Sequence, residues 1–102
     1  MVKLCGFAAA IFIATLLPTL AQTVHVGGRG IEGCEYFLAS RDDADEQWIL
    51  GFLSGYAVAS GSDILKTTSH DKIFKEIARR CTLKLKARLF DITKEVAHEW
   101  RE

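Results

Sequence analysis

Residues 42–61 read DDADEQWILGFLSGYAVASG, and this stretch decides the fold. Asp42 or Asp43 can cap a helix start, because a short carboxylate accepts from the free N–H groups of the first turn. Asp45 and Glu46 then fall in that turn, where the helix dipole favours acid. Trp48, Ile49, Phe52, Leu53, Tyr56 and Ala57 follow at helical spacing, with none of the alternation of a strand. Gly61 is a natural stop, since glycine readily takes the left-handed conformation that ends many helices. Trp48, Phe52 and Tyr56, at i, i+4 and i+8, are expected to share one apolar face that is mainly buried. Gly51, Gly55 and Ala59 recur every four residues. Each glycine costs about 1 kcal/mol of helix propensity relative to alanine. A packing reason is therefore expected: the close approach of another helix.

Working toward the C-terminus, residues 62–70 form a polar connection in which Ile64 and Leu65 are expected to plug into the core. Ser69 caps a third helix starting near residue 71, with Ile73, Phe74, Ile77 and Cys81 on its apolar side. Leu85, Leu89, Ile92, Val96 and Trp100 form a further set. At 100° per residue, the Leu89 set points roughly 90° away from the Ile73 set. One straight helix cannot bury both on a single neighbour. Arg79 and Arg80 suit a helix C-terminus near residue 81. A break or bend is expected at residues 82–84.

Toward the N-terminus, residues 32–39 suit a short first helix carrying Cys34, Phe37 and Leu38, which polar residues 40–43 end. Residues 22–31 are a Gly-rich lead-in, expected to be flexible. Its Gly-Gly-Arg-Gly run lacks the Gly-Lys-Ser/Thr of a phosphate loop and reads as a linker. Residues 1–21 read as a cleavable signal peptide. Lys3 supplies the positive charge, residues 4–17 an uncharged apolar run, and Thr19-Leu20-Ala21 a cleavage site. Fourteen apolar residues fall short of the roughly 20 that a bilayer-spanning helix needs. An uncleaved anchor is the alternative; cleavage leaves no stable membrane anchor.

Cleavage leaves 81 residues, enough for one small domain at 32–102. Such a domain often needs a staple. Cys5 departs with the leader, and Cys34 and Cys81 remain. An even pair in an exported chain reads as a disulfide, two free thiols being the alternative. Without nearby histidines the pair cannot complete a zinc site. Fold class follows as all-α: a small disulfide-stapled bundle of about four helices.

Twelve basic and 13 acidic side chains remain after cleavage, which points away from nucleic acid. Charge is uneven: residues 32–46 are acidic and residues 72–88 basic. Two solvated faces that partly neutralise each other are the expectation, and partner binding by either patch is the alternative. His25, His70 and His98 lie in separate segments without ligand spacing. Ser54, Ser60 and Ser62 lack a nucleophile-elbow context. The acidic run at 42–46 lacks the order of a calcium loop. The residues therefore predict no catalytic site, metal or cofactor, and no enzyme. Trp48, Phe52 and Tyr56 read first as a core stripe; a grooved surface for a partner helix or an unfolded segment is the alternative.

The run Cys34-Glu35-Tyr36-Phe37-Leu38, then Trp48-Ile49-Leu50-Gly51-Phe52-Leu53-Ser54-Gly55-Tyr56, then Cys81, resembles the periplasmic acid-stress chaperones HdeA/HdeB and their relatives in Gram-negative bacteria. Asp63-Ile64-Leu65-Lys66 and Ile73-Phe74-Lys75-Glu76-Ile77 are similar in style. The resemblance covers residues 34–98. It implies a helical domain with bridged cysteines, a periplasmic location and a homodimer at neutral pH. In acid it implies loosening that lets apolar surface, here Trp48, Phe52, Leu53 and Tyr56, hold unfolding periplasmic proteins. Leu85 lies where relatives often carry proline. With every carboxylate protonated the chain would carry about +15, which favours expansion. The Gly-x-x-x-Gly-Tyr helix with a disulfide also resembles periplasmic immunity proteins, which would bind one specific partner, a cell-wall amidase toxin.

Overall fold

A computed structural model describes residues 25–101. The expected signal peptide lies outside the described residues. Among them are five α-helices, one 3-10 turn and no strand: the turn Gly28–Ile31, α1 (Cys34–Ser40), α2 (Asp43–Ser60), α3 (Ile64–Thr67), α4 (His70–Leu83) and α5 (Leu89–Glu99). None of these helices is long and apolar enough to cross a membrane.

Local chemistry accounts for most of the boundaries. Asp42 caps α2 by accepting from the Asp45 N–H at 3.0 Å. Gly61, at φ 77°, closes it in the left-handed region. Asp63 caps α3 and Ser69 caps α4. The expected break between the last two helices is present. α4 ends at Leu83, and the Lys84 N–H bonds back to the carbonyls of Arg80 and Cys81. α5 then restarts at Leu89, so that Leu89, Ile92 and Val96 can turn toward the core.

Phe37, Ile49, Leu53, Ile64, Ile73, Ile77, Leu89, Ile92 and Val96 form the core with the two cysteines. Cys34 opens α1 and Cys81 lies in the last turn of α4. Their disulfide is fully buried, with the Cα atoms 5.0 Å apart. Beside it, Cys34 N–H donates to Ala87 O and Leu89 N–H to Glu32 O, both at 2.8 Å. These bonds tie the start of α1 to the α4–α5 connection. Ile64 is buried and Leu65 partly so, as the plug expectation required. Leu85 is a correction: it falls in the α4–α5 connection and stands 46 % exposed instead of joining the α5 stripe.

Arg80 clamps α4 to α5. It binds Glu76 at 2.7 Å on its own helix and Glu99 at 2.9 Å on α5. Arg79 adds a second bond to Glu76 at 2.7 Å, and Lys84 holds Glu95 at 2.8 Å. Hydrogen bonds from Arg79, then Arg80, hold the Glu76 carboxyl at a pKa of about 2. The two charged segments mostly satisfy their charges locally. Among ion pairs of the described residues, Lys86–Glu35 alone joins the basic 72–88 segment to the acidic 32–46 segment.

Candidate functional site: an aromatic face on the long helix

Two neighbouring rows of side chains run along α2. Asp45, Ile49 and Leu53 point into the core and are buried. Trp48, Phe52 and Tyr56 lie on the flank one position away and are only half-buried. The expectation that these three aromatics share one face, mainly buried, agrees with this placement: they pack against the core from its edge, while the row at 49 and 53 fills its centre. Leu53, grouped with them as partner-binding, is 2 % exposed and does not reach the open face.

The three rings form a ladder. Trp48 and Phe52 stack with centroids 5.6 Å apart, and Phe52 and Tyr56 at 6.4 Å. α5 closes one side. Phe90 meets Phe52 edge-on at 5.5 Å, and His98 meets Tyr56 edge-on at 5.5 Å with its Nδ1 3.3 Å from the Tyr56 hydroxyl. Such ring pairs contribute about 0.5–1.5 kcal/mol each beyond their area. Arg88 and Lys94 flank the Phe90 ring at 5.4 and 5.1 Å, making that rim cationic. A shallow groove of about 350 Å³ runs beside the ladder, lined by His25, Val26, Gly27, Trp48, Gly51, Phe52 and Phe90. Gly51 lines it, and neither Gly51 nor Gly55 has a close neighbour: a Cβ at either would meet no atom within 4 Å. The helix expected to pack on them is not among the described residues.

The Trp48 end is covered by the segment that reads as a flexible lead-in. Residues 28–31 instead form the 3-10 turn, seated on the indole. Gly30 is buried, and any side chain there would overlap the six-membered ring of Trp48. The indole N–H donates to Gly27 O at 2.9 Å. Arg29 anchors the turn. Its guanidinium donates to the Tyr36 hydroxyl at 3.1 Å and lies 3.5 Å from Glu32, 3.7 Å from Asp42 and 3.8 Å from Asp45. Asp45, expected as a first-turn acid of the helix, is fully buried. Its Oδ2 accepts from the Ser40 hydroxyl at 2.9 Å, while Oδ1 has no hydrogen bond and faces Arg29. A buried carboxylate needs such a countercharge. Helical periodicity carries no signal for this, because the partner lies 16 residues earlier in a glycine-rich turn.

What the face offers chemically is apolar, aromatic area with one cationic rim. It suits non-directional binding of apolar groups and stacking. No family model, curated protein or solved structure matches this chain.

Proposed function

We propose that this protein is a non-enzymatic binder of polypeptides in the periplasm, holding unfolding proteins when the medium turns acid. The observation that carries the reading is the half-open ladder of Trp48, Phe52 and Tyr56 beside an apolar groove. The partly exposed rings and the groove would supply non-directional apolar contact to another polypeptide. The buried disulfide supports an oxidising compartment and would keep a loosened chain compact. Glu76, held low by Arg79 and then Arg80, and Glu99, held low by Arg80, would let part of the fold resist acid while other carboxylates protonate.

Light scattering of a periplasmic extract shifted to about pH 2–3, where carboxylates are largely neutral, tests the proposal. Suppressed scattering with stoichiometric protein is the expected result. Unchanged scattering, with tight neutral-pH binding to a single cell-wall amidase, would replace the proposal with an immunity function.

A further inference from the structure

The connection between α4 and α5 forms a braced, exposed tip. Residues 82–86, Thr-Leu-Lys-Leu-Lys, are all exposed, and none of them lines the aromatic groove. Leu83 ends α4 and is 73 % exposed; Leu85 follows two residues on and is exposed as well. Ala87 N–H donates to Lys84 O at 3.0 Å, so Leu85 and Lys86 occupy the corner of a tight turn. The base of that turn is fixed on both sides. Cys81 is bonded to Cys34 just before it, and Ala87 O accepts from Cys34 N–H at 2.8 Å just after it. Charge along this stretch has one sign. Between Glu76 and Asp91 the sequence carries Arg79, Arg80, Lys84, Lys86 and Arg88 and no acidic residue. Arg80 clamps the two helices, and Arg88 pairs with Asp91 at 3.0 Å. Lys84 and Lys86 are held more loosely. Their partners Glu95 and Glu35 lie at the surface, and the Lys86 side chain is 93 % exposed. Surface pairs of this kind contribute little, so both ammonium groups can exchange a carboxylate for another anion.

We propose that the 82–86 tip is a peripheral docking site for an anionic phospholipid surface, with Leu83 and Leu85 entering the headgroup boundary and Lys84 and Lys86 on the lipid phosphates. Leucines interleaved with lysines suit that boundary: the apolar side chains leave water, while the long lysine stems keep their charges level with the phosphates. A polyanion such as a nucleic acid would engage the lysines and leave the leucines in water; a bilayer boundary engages both. Two aliphatic side chains give shallow, reversible attachment, far short of a span. The tip is separate from the aromatic row, so the proposal does not rest on the polypeptide-binding reading.

Vesicles of phosphatidylcholine, with and without about 30 % phosphatidylglycerol, serve as probes in co-sedimentation with the disulfide-bonded mature protein at neutral pH. Wild type is compared with Leu83→Ser/Leu85→Ser and with Lys84→Gln/Lys86→Gln, all four positions being exposed. Wild type is expected to sediment with the anionic vesicles and to stay in solution with phosphatidylcholine alone. Each double variant is expected to bind the anionic vesicles about tenfold more weakly. No sedimentation of wild type with the anionic vesicles overturns the proposal. Leucine variants that bind like wild type overturn it too, because the attraction is then to anions in general, and lysine variants that bind like wild type remove the lipid phosphates. If the leucine pair loses helical circular dichroism, Leu85→Ser alone takes its place, since Leu85 belongs to neither helix, and the same outcomes decide.

Discussion

Gly30 lies flat on the six-membered ring of Trp48, so close that a Cβ at position 30 would overlap Cζ2, Cη2 and Cε2 of the indole. The contact joins a glycine-rich turn to the second turn of the long helix, 18 residues later. It leaves no space for even one added carbon between the turn and the indole.

Gly30→Ala should therefore destabilise the protein by about 1–3 kcal/mol, the usual range for forcing extra bulk into a packed site. Urea unfolding followed by circular dichroism measures the loss. Emission from Trp48 in a Trp100→Phe background should shift to the red under native conditions. An unshifted spectrum would mean the turn accommodates the methyl without moving.

Gly55→Ala should act in the opposite direction. A Cβ there meets no atom within 4 Å, and the residue sits within an exposed stretch of α2. Helix propensity alone then stabilises by about 0.5–1 kcal/mol. A thermal melt that falls instead would reveal a neighbour on this face in solution.

The Cys34–Cys81 bridge closes a 48-residue loop, counting both ends, across a sequence separation of 47. Loop-closure entropy assigns about 4 kcal/mol to that length. Replacing both cysteines by serine should lower unfolding stability by that order, or abolish folding at 37 °C. Denaturant midpoints of the oxidised and double-serine proteins give the comparison.

Glu76 defines an acid window. Its folded pKa of about 2 lies below the ordinary 4.5. A depressed carboxyl stabilises the fold fully above its unfolded pKa and loses that contribution as pH falls through the folded value. Stability should therefore decline from about 4.5 toward about 2. Glu76→Gln should unfold more readily at pH 7 and show a shallower decline across that window. Identical pH profiles for the two proteins would remove Glu76 from the acid response.

Much of the architecture was legible because it rests on local chemistry. Asp42, Ser69 and Gly61 mark helix ends by what their own atoms can do, and the rotation of the stripe between Ile77 and Leu89 foretells the break after Leu83. The cysteine pair is read from compartment and parity. The site was less legible. Periodicity places Trp48, Phe52 and Leu53 on one side of α2, yet packing sends Leu53 inward and leaves the two rings on the flank. Leu85 has the right spacing for α5 but precedes its first turn. Arg29, Gly30 and the burial of Asp45 depend on contacts between distant segments, which spacing along one helix cannot register.

The disulfide divides the molecule topologically. Residues 34–81 become a covalent ring that contains α1, α2, α3 and nearly all of α4. Trp48, Phe52 and Tyr56 are all within the ring. Contacts that flank them come from both tails: the 28–31 turn ahead of Cys34, and Phe90 and His98 on α5 beyond Cys81. Neither tail is enclosed by a covalent link. The bond thus secures covalently the part that carries the aromatic row, while the tails that flank it are held against it by packing, hydrogen bonds and ion pairs alone.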